Sequence, residues 1–101
     1  MWALVWVLNA AVPGEIFGDV KSGDSYLPDA PVTLTCGTET VTAKTDSAGS
    51  FRLRAKATGK CRLAVTWKEQ SPELDVVVFE RPTRYRLLLE EKDGKFLLRR
   101  V

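Results

Sequence analysis

Thr45-Asp46-Ser47-Ala48-Gly49-Ser50-Phe51-Arg52-Leu53-Arg54-Ala55-Lys56 carries a turn and the strand that leaves it. Asp46 is placed to accept backbone N–H groups across the turn, and Gly49 supplies the positive φ that side chains resist. Phe51, Leu53 and Ala55 then alternate with Arg52, Arg54 and Lys56. A period of two sends the first three into a core and the last three toward solvent, so the segment reads as a half-buried strand.

The same period runs outward on both sides. Upstream, Val41 and Ala43 are the inner residues of a strand over 39–45. Val32, Leu34 and Cys36 alternate with Thr33 and Thr35, and Ile16 and Val20 anchor a strand over 15–21. Ser22-Gly23-Asp24-Ser25 and Pro28-Asp29-Ala30-Pro31 turn the chain between them. Downstream, Thr58-Gly59 leads into Cys61, Leu63, Val65 and Trp67, alternating with Arg62, Ala64 and Thr66. After the Ser71-Pro72 break, Val76-Val77-Val78 is apolar on both faces, which predicts a central strand. Lys92-Asp93-Gly94-Lys95 between two apolar runs (85–90 and 96–101) is a strong hairpin signal. No stretch has helical periodicity, and there is no internal repeat.

Four of these segments together resemble a known family. Gly18-Asp19-Val20, Leu27-Pro28-Asp29-Ala30-Pro31-Val32-Thr33-Leu34, Thr45-Asp46-Ser47-Ala48-Gly49-Ser50-Phe51-Arg52-Leu53 and Gly59-Lys60-Cys61-Arg62-Leu63-Ala64-Val65 are similar to the carboxypeptidase regulatory-like domain. That family is itself akin to the Cna protein B-type and transthyretin-like sandwiches. The resemblance covers about residues 15–67. It implies an all-β, immunoglobulin-like or prealbumin-like Greek-key sandwich of about seven or eight antiparallel strands over residues 15–101. It also implies an accessory, adhesive or structural extracellular role rather than catalysis. The turn motif Asp46, Gly49 and Phe51 is expected to be architectural. Some B-type relatives carry a Lys–Asn isopeptide bond, and Lys21 stands near where such a lysine sits. The only asparagine, however, is Asn9, so no such bond is expected.

Composition narrows the function classes. The chain has 101 residues, 45% of them hydrophobic, with a formal charge of +2 and no histidine. That length fits one domain with a core of its own. A charge so near balance leaves no electrostatic footprint for nucleic acid. Without histidine, the commonest general base and the commonest zinc ligand are both missing. Glu90 and Glu91 are neighbours in a strand and point to opposite faces, so they do not form a pair. Asp19, Asp24 and Asp29 read as solvated turn residues rather than calcium ligands. We therefore expect no catalytic residues, no cofactor and no metal.

Cys36 and Cys61 are the only cysteines, either a disulfide or two buried thiols. Both face the core on this reading, and a bridge is the expected state. It places the chain in an oxidising compartment, at the cell surface or outside it. The cations Arg52, Arg54, Lys56, Lys60 and Arg62 are expected on one outer face. They are either a solvated surface or a contact for anionic polysaccharide. No N-x-S/T sequon is present.

Residues 1–12 lie outside the family pattern. Met1-Trp2-Ala3-Leu4-Val5-Trp6-Val7-Leu8-Asn9-Ala10-Ala11-Val12 has no charge and ends at Pro13-Gly14, read as a hinge. It is too short to span a bilayer, and it lacks the basic start of a secretory signal. As a strand, residues 2–12 extend about 36 Å, longer than the usual strand of about 17–20 Å. Three readings stand: a first strand folded in cis, a donor strand inserted into a neighbouring subunit, or a leader. The donor strand is the favoured expectation, with Trp2, Leu4, Val5, Trp6, Val7 and Leu8 as the subunit interface. Copies of the chain would then polymerise head to tail into a pilus-like filament. The alternative is a monomeric secreted accessory module that binds carbohydrate or peptide.

Overall fold

The structure, a computed structural model, describes residues 14–101. The expected donor strand, residues 1–12 with Trp2, Leu4, Val5, Trp6, Val7 and Leu8, lies outside the described residues, as does Asn9. The described residues form nine strands: β1 (Gly14–Ser22), β2 (Ser25–Tyr26), β3 (Pro31–Cys36), β4 (Glu39–Lys44), β5 (Ser50–Ala55), β6 (Gly59–Val65), β7 (Glu73–Val78), β8 (Thr83–Lys92) and β9 (Lys95–Arg100). The ninth is the two-residue β2, which exists because the Ser22–Ser25 turn folds Tyr26 back against Lys21.

Two sheets pack face to face. One runs β4-β3-β6-β7, antiparallel throughout. The other runs β2-β1-β8-β9, with β5 also paired to β1. Here the expected all-antiparallel arrangement needs correction, because β1 pairs with β8 in parallel, Ile16 opposite Thr83 through Ser22 opposite Leu89. A parallel neighbour requires a long crossover, and β2 to β7 supply it. The whole is a mostly antiparallel sandwich of Greek-key, immunoglobulin-like character.

Alternation delivers the core. Ile16, Val20, Leu53, Leu87 and Leu89 come from one sheet, and Val32, Leu34, Leu63, Val65 and Val78 from the other, all at most 2% exposed. Each such side chain, fully buried, stabilises the fold by about 1.5–3 kcal/mol. Phe51 and Tyr85 fill the space on either side of Gly18, which stands opposite both of them on β1. A Cβ at Gly18 would meet the Tyr85 carbonyl oxygen at 1.7 Å, so the two backbones can approach only without a side chain there. Gly14, expected in a hinge, opens β1 opposite Ala55. A Cβ there would fall 2.1 Å from Val78 Cγ1, so packing rather than hinge freedom accounts for the glycine.

Two further expectations change. The triple valine is not a central strand: β7 ends its sheet, and Val77 is 36% exposed. Period two holds through it, with Leu74, Val76 and Val78 turned inward and Val77 outward. Trp67 lies beyond the end of β6 and is only half-buried. It begins a tight turn to Gln70 in which Lys68 and Glu69 both have positive φ, 49° and 67°. That turn escapes sequence reading because neither residue is the Gly or Asn such a conformation favours.

Candidate functional site

The turn motif ties three segments together. Asp46 Oδ1 accepts the N–H groups of Ala48 and Ser50, each at 2.9 Å, and its backbone pairs with Gly49 and Ser50. Gly49 has φ +76° and is pressed against Val20 and Tyr26, where a Cβ would meet the Val20 carbonyl oxygen at 2.9 Å. Its carbonyl accepts the Val20 N–H. Phe51 then enters the core at 5% exposure. Thr45, quoted with the motif but given no role from sequence, is the buried polar side chain among the described residues. Its hydroxyl donates to the Leu27 carbonyl at 2.6 Å and accepts the Ala30 N–H at 2.9 Å. A hydroxyl serves as donor and acceptor at once, so one side chain satisfies both loop groups. The signal was the threonine immediately before the turn aspartate.

Cys36 and Cys61 form a disulfide with Cα atoms 4.5 Å apart. It links neighbouring strands of one sheet, since Thr35 is already opposite Arg62. The bond fits an oxidising environment.

The five cations expected on one face are divided by the fold. Arg52 and Arg54 lie on β5, and both pair with Glu15 on β1. Lys60 and Arg62 lie on β6 in the other sheet, where Arg62 pairs with Glu73 and Asp75 at 3.4 and 3.6 Å. Lys56 follows β5, and its backbone N–H donates to the Glu39 carboxylate. Periodicity assigned each residue correctly to an outer surface. Which sheet owns that surface depends on the crossing between β5 and β6, and period two carries no information about it.

What sequence missed is the row that replaces that grouping. On the outer surface of β1, Phe17 stands opposite Arg52 on one side and Arg84 on the other. The Arg52 guanidinium sits 5.4 Å from the Phe17 ring centre. Two residues on, Asp19 stands between Ser50 and Arg86. Next to it Lys21 lies over the Tyr26 ring at 5.1 Å. A depression of about 500 Å³ opens beside the row, between Phe17, Asp19, Lys44, Arg52 and Arg84.

Two of the sheet edges, β7 and β9, are met by side chains. Tyr85, buried on β8, reaches across the sandwich to the free edge of β7. Its hydroxyl accepts the Val77 N–H at 3.1 Å and donates to the Val77 carbonyl at 3.3 Å. Gln70 closes the adjacent edge of β9, donating to the Gly94 carbonyl and accepting the Phe96 N–H at 2.9 and 2.8 Å. Arg100 covers Tyr85 from outside, 4.0 Å from its ring centre.

Among the described residues, no three His, Cys, Asp or Glu side chains gather as metal ligands, and Asp19, Asp24 and Asp29 form no such group. No described helix is long and apolar enough to cross a membrane. No protein-family model matches the sequence, and no curated protein matches it.

Proposed function

We propose that this chain is a non-enzymatic, secreted or surface-exposed recognition module of the carboxypeptidase regulatory-like type, acting as a monomer. The observation that carries this reading is the closure of the β7 and β9 edges by Tyr85 and Gln70. An open edge is a template for pairing with another chain, and proteins that remain single cover it. The core supports the same reading, because among the described residues β1 is an inner strand of its sheet, paired with β2 and β5 and with β8. The disulfide supports secretion, and the Asp46–Gly49–Phe51 turn supports the family resemblance.

A second reading keeps the head-to-tail filament. It is favoured by Val77 and Phe79, 36% and 49% exposed, on the stretch whose Val78 and Phe79 lie against Gly14, which residues 1–13 precede in sequence. In that case residues 1–12 of one copy would add to the β7 edge of the next, displacing the Tyr85 hydroxyl.

Sedimentation of the oxidised full chain over a wide concentration range separates the two. A monomer at all concentrations is the expected result. Filaments that disappear on deletion of residues 1–12 would overturn it in favour of the second reading.

A further inference from the structure

Charge is distributed unequally between the two outer surfaces. On the β4-β3-β6-β7 sheet, Arg62 is neutralised by Glu73 and Asp75, which leaves Lys44 and Lys60 as its exposed cations without an ion pair among the described residues. On the other sheet the outward positions of β1, β5, β8 and β9 carry Lys21, Arg52, Arg54, Arg84, Arg86 and Arg99 against Glu15, Asp19 and Glu90. Glu15 is held by Arg52 and Arg54, and Glu90 by Arg99. Arg84 and Arg86 join no ion pair among the described residues, although both are exposed.

From this we infer that the Arg52–Phe17–Arg84 row, with Arg86, is a binding site for an anionic polysaccharide. The inference rests on the recognition-module reading and names its ligand class. Three features fit that occupant. Arginines on either side of β1 stand about 10 Å apart by the spacing of strands, beside the depression lined by Phe17, Asp19 and Lys44. Acid groups borne on alternate sugars of a chain are separated by a similar span. Arg84 and Arg86, in no ion pair among the described residues, each offer a planar fork matched to a carboxylate or sulfate, while Arg52, paired with Glu15, adds positive charge beside them. Phe17 lies between Arg52 and Arg84, half-buried with the Arg52 guanidinium over its ring, and the part it leaves open is an apolar surface for the C–H face of a sugar. The carboxylates nearby do not cancel the site. Asp19 and Asp46, the latter still charged while it accepts two backbone N–H groups, stand against Lys21, Lys44, Arg84 and Arg86, an excess of cations. An oxidising compartment, which the disulfide fits, favours an acidic glycan over nucleic acid as the polyanion at hand.

The test uses the oxidised full chain in affinity electrophoresis and calorimetry with polygalacturonate and with heparin, each against neutral dextran. Retardation by at least one acidic polymer, weakening as salt rises, is expected; which polymer acts distinguishes carboxylate from sulfate recognition. Arg84→Ala combined with Arg86→Ala should weaken binding about tenfold or more, the effect of removing charge-assisted hydrogen bonds. Phe17→Leu keeps the apolar bulk and removes the ring, and should weaken it about threefold. Lys60→Ala, on the opposite sheet, should leave affinity within about twofold. Each variant's melting temperature verifies that it is folded. The inference is overturned if neither acidic polymer binds at low salt, if dextran binds equally, or if Lys60→Ala costs as much as the arginine pair. It is also overturned if anionic lipid vesicles or single-stranded DNA bind more tightly through the same arginines. A monomeric chain that binds no acidic polymer would sink this site alone, whereas filament formation would sink the reading beneath it.

Discussion

The two sheets of this sandwich are held together by different means. The β4-β3-β6-β7 sheet is an antiparallel array of neighbours, with a covalent staple between β3 and β6 and with Arg62 paired to Glu73 and Asp75. The sheet built on β1 joins the two ends of the described chain, includes a parallel pair, and relies on backbones approaching where glycine stands. One sheet is fastened by a bond and the other by the absence of a side chain. The difference teaches that a small sandwich can stabilise long-range pairing without a crosslink, provided that space is reserved for it.

Gly18→Ala attacks that reserved space and should have the largest effect. The added methyl lands on the Tyr85 backbone, which no rotamer change can relieve. Denaturant unfolding should show a loss of about 4 kcal/mol or more, a size few single substitutions reach. A loss below about 1 kcal/mol would mean that β8 yields and that the seam is not tight.

Removing the crosslink comes next. The cysteines are 25 positions apart, and a loop of that length contributes about 3.5 kcal/mol in the chain-entropy model. Cys36→Ala with Cys61→Ala should lower stability by about that amount. Hydrogen exchange should rise first in β3 and β6 rather than in β1 and β8. Uniform acceleration would show instead that the sheets share their stability equally.

The smallest effect has the opposite sign. Lys68 and Glu69 occupy the left-handed region between β6 and β7 at a cost that glycine or asparagine would not incur. Lys68→Asn with Glu69→Gly should raise the unfolding free energy by about 1 kcal/mol. An unchanged or lower value would mean that these side chains hold the turn by contacts of their own.

Much of the antiparallel sheet was legible in advance. Val32, Leu34 and Cys36, then Cys61, Leu63 and Val65, announce their inner faces by alternation, and their shared face accommodates the disulfide. The turn at Asp46 was legible because its chemistry is local: one carboxylate oxygen, two N–H groups and a glycine. The triple valine is ambiguous in sequence because apolar content does not require burial on both faces, and an edge strand tolerates an outward Val77. The arginine row was hidden for a related reason. Arg52, Phe17 and Arg84 come from three distant segments, and only pairing brings them side by side.

The sequence by itself determined where strands run, which side chains face inward, and where the chain turns with Asp46, Gly49 and Asp93-Gly94. Those properties follow from dihedral preference and period two, which act within a few residues. Tertiary structure alone decided that β1 lies parallel to β8, that Tyr85 and Gln70 bond edge groups of β7 and β9, and that the arginines divide between two surfaces. Such choices depend on which strand becomes whose neighbour, and this is set by the packing of the whole core rather than by any one segment.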